Sequence, residues 1–469
     1  MHFILYICLM KLTFCWAAKI VTWSCYLLEV EETKLLIDCG MYQWPKDIMR
    51  LNYQPFTFDP KTIDFMLLTH AHIDHSWLIP KLFAEWFNGK IYTTSATRDL
   101  VEILLEDSAE IQKRNTEDEN RRRSRQGLLP RKPLFTLEQA QKCMPLFSTL
   151  KYTNLVKIND NISVRYQDAG HILGSASIEV FVTEGKKQTK IVFSGDIGQR
   201  DVPITQNPTL IADADYVLME STYGDRLHED VWSKEALLLK HVKETFARWW
   251  KLLIPSFAVE RTQELLYVFN SLINKKLFPQ QKIFLDSPLA IKATHIFKEH
   301  KECYDTEALR DFANPFFDDR YLKYSWSVQD SMKLNTYKDP CIIIAGNGMC
   351  TAGRITHHLR HWLADKRNTL LFVWYQAEWT LGRYLLEWAK TASFMWLSVP
   401  VHLEIAKINS FSWHADANQL LKRVKWFTTK PKKVFIVHGE GSAQTALKNN
   451  LEKLGFTCSI PLIHDSVEL

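Results

Sequence analysis

Three imidazoles and a carboxylate crowd into Thr69-His70-Ala71-His72-Ile73-Asp74-His75, directly after the apolar run Phe65-Met66-Leu67-Leu68. That run reads as a strand. Residues two apart share a face in extended chain, so His70 and His72 can hold one ion. Once the chain turns into a helix, Asp74 and His75 can hold a second. Histidine and carboxylate without thiolate is the ligand set of a catalytic zinc, which keeps a position open for water. An incidental surface cluster accounts for any two of these residues, but not for four at this spacing.

More acids and histidines stand at loop positions after strand-like runs. Asp38 follows Lys34 to Ile37, and His171 lies in Asp168-Ala169-Gly170-His171-Ile172-Leu173-Gly174-Ser175. Asp196 ends Ser194-Gly195-Asp196, and Glu220 opens Glu220-Ser221-Thr222-Tyr223-Gly224-Asp225. His414 lies in Phe411-Ser412-Trp413-His414-Ala415-Asp416, and His438 in Val437-His438-Gly439-Glu440. Singly, each is a turn or capping residue. With the first cluster they form the set a metal site requires.

The elements that must position them are legible as short β-rich runs: Ile20 to Val30, Lys34 to Ile37, Ile63 to Leu68, Ile162 to Gln167, Ala176 to Val182 and Lys190 to Phe193. Helix-like stretches, Ala96 to Asn120 and Leu137 to Leu146, lie between some of them. From about Asp225 strand and helix alternate, which implies a parallel sheet covered on both faces. After about Val401 the chain returns to strand, helix and strand. The charge-dense Lys113 to Lys132 reads as a solvated helix and loop, with backbone contact to nucleic acid as the lesser reading.

The chain has 469 residues, 46% hydrophobic and 24% charged, which excludes a disordered or collagen-like protein. Its length suits roughly three domain-sized units or two larger ones. The net charge of +5 is compatible with a polyanionic substrate. Nine scattered cysteines without a C-x-x-C pair read as reduced thiols of a cytoplasmic protein. The N-terminal apolar run is too short to span a bilayer and is broken by Lys11. It also lacks the basic start of a signal peptide, so Met10 is the expected start of the protein.

At these residues the sequence resembles the metallo-β-lactamase-fold nucleases of the β-CASP group. Pro255-Ser256-Phe257-Ala258-Val259-Glu260-Arg261-Thr262-Gln263-Glu264, Leu285-Asp286-Ser287-Pro288-Leu289-Ala290 and Gly348-Met349-Cys350-Thr351-Ala352-Gly353-Arg354 narrow the likeness. They look like bacterial and archaeal ribonucleases related to the polyadenylation-cleavage endonuclease. The resemblance implies an α/β protein in which residues 10–225 and 396–469 form a metallo-β-lactamase αββα sandwich. Residues 226–395 would be an inserted α/β β-CASP domain, one wall of a cleft over the metals. It implies two Zn2+, one on His70, His72 and His171, the other on Asp74, His75 and His438. Asp196 would bridge them and Asp38 would orient ligands.

Two ions about 3.5–4 Å apart lower the pKa of a bridging water and stabilise the entering and leaving oxygens of an in-line displacement at phosphorus. His414, oriented by Glu220, would protonate the departing 3′ oxygen, leaving 5′-phosphate and 3′-hydroxyl ends. Ser256, Arg261, Arg354 and Arg383 are the expected substrate contacts, with a structural ion pair as the competing reading for each arginine. The expected partner is RNA and not a membrane, with endonuclease, 5′-exonuclease and homodimeric modes all open. A DNA nuclease or small-ester hydrolase of the same fold, and a non-catalytic scaffold of an RNA-processing complex, are the other readings. The inserted domain argues against the ester hydrolase, and the intact ligand set against the scaffold.

Glycine and tryptophan are out of proportion. Average usage would give about 33 glycines in this length, but the chain has 16, with 16 tryptophans. Where the family pattern D-H-x-G calls for glycine, this chain has Trp77. Where F-V-G-Y-Q-A-x-G-T-L-G-R does, it has Trp374 and Trp379. Trp16, Trp23, Trp44 and Trp388 look like further cases, and Trp413 stands where the family has a small residue. This predicts a source that reads UGA as glycine, with the codons rendered here as tryptophan; true substitution in a diverged relative is the competing reading. The metal ligands are untouched by it.

Overall fold

A computed structural model describes residues 10–15, 24–42, 46–228, 234–311, 320–387, 389–394, 397–408 and 413–469. Trp16, Trp23, Trp44 and Trp388, and the opening residues 20–23 of the first expected strand, lie outside the described residues. Among the described residues no helix is long and apolar enough to cross a membrane. The chain divides into two compact units, residues 1–201 with 206–227 and 413–469, and residues 202–205 with 228–412.

The first unit is built on two seven-stranded sheets. One runs Ser466–Glu468, Lys11–Phe14, Tyr26–Val30, Thr33–Ile37, Phe65–Leu67, Lys90–Thr93, Phe147–Thr149. The other runs Cys458–Ser459, Lys433–Ile436, Tyr216–Met219, Lys187–Phe193, Ala176–Glu184, Ile162–Asp168, Leu155–Lys157. Leu28 and Leu35 of the first sheet share one buried core with Ile178, Phe193 and Phe435 of the second. Helices close the outside: Leu420, Val424, Leu447 and Leu451 cover Val192, Val217 and Met219. The result is the αββα sandwich.

The second unit holds a six-stranded, wholly parallel sheet in the order Leu322–Tyr324, Lys282–Asp286, Cys341–Ala345, Lys251–Pro255, Thr369–Phe372, Glu404–Lys407. Alternate residues feed separate cores: Leu252 and Ile254 pack with Leu265 and Phe269, while Leu253 and Ile343 pack with Leu359 and Leu363. Both faces are dry, so these strands read as unbroken apolar runs. The unit extends past the expected boundary at 395, because Glu404–Lys407 adds the last strand by pairing with Thr369–Phe372.

Among the described residues three tryptophans take left-handed backbone: Trp86 (φ 78°), Trp249 (φ 59°) and Trp379 (φ 66°). A bulky side chain is a genuine outlier there. Trp86 ends the Ile79–Ala84 helix with two bonds, Trp86 N–H to Phe83 C=O and Phe87 N–H to Leu82 C=O. Gly127 and Gly455 end other helices with the same pair of bonds and φ of 69° and 80°. This is the left-handed cap that glycine ordinarily fills. Trp379 is 96% exposed, so no packing holds it in place. Trp77 (φ −67°) and Trp413 differ: the first stacks edge-on against Phe135, and the second is buried.

Candidate metal centre

The first unit gathers the expected ligands at the loop ends of its two sheets. The strand Phe65–Leu67 delivers Thr69 and His70, and His72 is the residue before the short helix Ile73–Ser76 that carries Asp74 and His75. His171 follows Gly170, whose φ of 61° and neighbours leave no room for a Cβ: one there would fall 2.6 Å from the Gln206 carbonyl. Asp196, Glu220 and His438 follow the adjacent strands Lys187–Phe193, Tyr216–Met219 and Lys433–Ile436. Asp38 (φ 59°) and His438 (φ 47°) are both left-handed, backbone strain of order 1–3 kcal/mol each that clusters at functional sites.

Two constellations result, His70, His72, His171 and Asp196, and Asp74, His75 and His438. His72 Nδ1 lies 3.2 Å from both His70 Nε2 and His171 Nε2, and Asp196 Oδ2 lies 3.5 Å from the same two nitrogens. On the other side Asp196 Oδ1 lies 3.3 Å from His75 Nε2 and 3.2 Å from His438 Nδ1, while His438 Nε2 lies 3.5 Å from Asp74. Ligand atoms around a tetrahedral zinc with bonds of 2.0–2.1 Å sit about 3.3 Å apart. His75 Nε2, His438 Nε2 and Asp196 Oδ1 are also buried without a hydrogen-bond partner among the described residues. Unpartnered polar atoms are costly in a fold unless something else binds them. The residues fit metal.

The electrostatics of the first constellation agree. Burial pushes the His70 and His171 imidazoles well below their usual range, helped by neighbouring histidines, and holds His72 down at about 4. Neutral imidazole is the ligating form. On the second side burial works the same way, but Asp196 and Asp38 outweigh it and raise His75. Asp196 itself is held well below the carboxylate range, as His438, His75 and His70 overcome its burial.

The Asp38 carboxylate accepts from the Thr69 N–H at 2.8 Å, the Thr69 hydroxyl at 2.9 Å and His75 Nδ1 at 2.7 Å. Because the carboxylate only accepts, the Thr69 hydroxyl donates to it and accepts from His70 Nδ1 at 3.0 Å. Both histidines thereby keep Nε2 free. Thr69 is the residue whose role the sequence reading missed.

His414 Nδ1 lies 3.1 Å and 3.3 Å from the two Glu220 oxygens, its ring 4.5 Å from that of His171. Backbone N–H groups of Ile197 and Thr222 fix Glu220 at 2.6 Å and 3.1 Å. Burial works to lower the His414 pKa, but Glu220 outweighs it and raises it to about 9.

The four expected substrate contacts sit in the second unit, and each is engaged there. Ser256 is buried and accepts from the Thr262 hydroxyl. Arg261 is buried against Glu264, 4.3 Å over the Trp374 ring. Arg383 pairs with Glu387 one helical turn on. Arg354 reaches Asp286 at 2.6 Å and the carbonyls of Ser325 and Trp326. Asp286, fully buried, also accepts from Ser331 and His358. Arg354 thus makes the ion pair of the competing reading, as one arm of a buried polar hub.

Comparison with known proteins gives three family matches along the chain. Residues 23–208 match the metallo-beta-lactamase superfamily, 262–385 the Beta-Casp domain, and 398–461 a Zn-dependent metallo-hydrolase RNA specificity domain. The chain is 35% identical to "Ribonuclease TTHA0252" of Thermus thermophilus, over 96% of this chain and 98% of the relative. It is 32% identical to an "RNase J-like protein" of Methanocaldococcus jannaschii, over 89% of each. The same organism's "Transcription termination factor FttA" is 31% identical, over 92% of this chain and 67% of the relative. A crystal structure of a protein of unknown function from Enterococcus faecalis shares the fold, with a TM-score of 0.55 at 12% identity, over 98% of this chain and 100% of that one.

Proposed function

This chain belongs to the β-CASP ribonucleases of the metallo-β-lactamase superfamily, and from that membership we propose a two-zinc hydrolysis of RNA phosphodiesters leaving 5′-phosphate and 3′-hydroxyl ends. The family makes the chain a metal-dependent RNA hydrolase. Ion identity, ion count, residue roles and product ends are the proposal. It is carried by Asp196, one buried carboxylate with an oxygen toward each histidine constellation.

His70, His72 and His171 would hold one ion, Asp74, His75 and His438 the other. Bound there, the ions supply an activated water and neutralise charge on the phosphoryl oxygens. Asp38 and Thr69 keep the ligand tautomers fixed. His414, held protonated at neutral pH by Glu220, gives its proton to O3′ as the P–O3′ bond breaks and the water oxygen bonds to phosphorus. The eight described cysteines are all free, which fits a reducing cytoplasm.

The test is cleavage of end-labelled RNA and matched DNA with and without a chelator. RNA cleavage that the chelator stops and zinc restores, with 5′-phosphate ends, is expected. Chelator-resistant cleavage or a preference for DNA overturns it, and metal-loaded protein that cuts neither favours the scaffold.

A further inference from the structure

The helix Ser95–Arg125 starts at the metal centre and leaves it. Hydroxyls of Thr94 and Thr97, at its first turn, donate to the Gly174 carbonyl at 2.7 Å and 2.8 Å, in the loop that carries His171. At 1.5 Å per residue its 31 residues place the far end about 45 Å from that loop. Its buried residues stop at Ala109. From Lys113 to Lys132 every residue is exposed or half-exposed.

This outer stretch holds eight Lys and Arg against three Asp and Glu. Its net charge of +5 equals that of the entire chain, so the rest of the protein is balanced. Arg121–Asp118 and Arg131–Glu119 are exposed pairs, which hold little energy. Lys113, Arg114, Arg122, Arg125 and Lys132 have no carboxylate partner among the described residues. Helical spacing puts Arg114, Arg121, Arg122 and Arg125 within one face about 100° wide.

The arm is braced. Arg123 Nε donates to the Leu129 carbonyl, the Asn120 amide bonds both the N–H and C=O of Arg131, and Gln112 accepts from the Leu134 N–H. These bonds order the backbone and leave the basic face open.

We infer that this arm is a docking surface for the phosphate backbone of RNA beyond the cleavage site. The inference rests on the ribonuclease reading. Concentrated, unpaired guanidinium groups on a rigid rod match a polyanion without reading its bases. At 1.5 Å per helical residue and 3.4 Å per stacked nucleotide, strands meet Arg114 about 8 nucleotides past the cut and Arg125 about 13 past it.

The test is the quadruple variant Arg114→Gln, Arg122→Gln, Arg125→Gln, Lys132→Gln, all exposed positions, compared with the parent protein. Binding of RNA of about 40 nucleotides is measured on chelated protein across a salt series, and the slope of log K against log salt is expected to shrink by about 3. Affinity at low salt should fall at least about tenfold and KM for that RNA should rise, while turnover of RNA of about five nucleotides, too short to reach the arm, keeps its rate. A variant with the parent's affinity and slope overturns the inference, as does retained RNA affinity with loss of a co-purifying protein partner. Parent protein that binds the long RNA through the arm but cuts nothing overturns the ribonuclease reading instead.

Discussion

The Thr69 hydroxyl links the two halves of the metal centre, through Asp38 to His75 and directly to His70. Thr69→Val removes that link and frees the His70 ring to change tautomer. Zinc retained per protein after dialysis is expected to fall, with affinity down about 10–100-fold, and Thr69→Ser should restore it. His414 carries the other residue-scale prediction. In the proposed mechanism its imidazolium is the acid, raised to about 9, so it is present below that pH and is lost as pH rises through it. His414→Ala should lower kcat by about 10²–10⁴ and abolish that alkaline limb, with metal content unchanged. Glu220→Gln should move the limb to lower pH. The histidines and acids were legible because their types and spacing are themselves the chemistry. Thr69 was not, because its role depends on a carboxylate 31 positions away.

Among elements, helix ends and the parallel sheet make the sharpest claims. A left-handed, non-glycine backbone costs roughly 1–2 kcal/mol. Trp86→Gly and Trp249→Gly are therefore each expected to stabilise by about 1 kcal/mol, read as a higher denaturant midpoint with unchanged m. No gain at Trp86 would remove the structural support for glycine there. Arg354→Ala is expected to cost about 3–5 kcal/mol, because it strips a buried carboxylate of its cation; a variant of parent-like stability would return Arg354 to the substrate contacts. The parallel strands were readable because both faces are apolar. Phe147–Thr149 and Leu155–Lys157 were not, being short edge strands without a buried face.

At the scale of the whole molecule, the tryptophan surplus is a statement about the gene. UGA is expected at codons 77, 86, 249, 374 and 379, and sequencing that finds UGG at 86, 249 and 379 sinks the recoding. The αββα sandwich was readable only through its motifs, since its sheets are assembled from strands near both ends of the chain. That assembly also sets a clock. Asp196 needs His438 on its second side, and the strand before His438 pairs with Tyr216–Met219 across the entire second unit. A chain still growing on the ribosome carries six of the seven ligands long before the last one emerges, and His414 is late as well. The complete proposed ligand set therefore exists only after the second unit has been made.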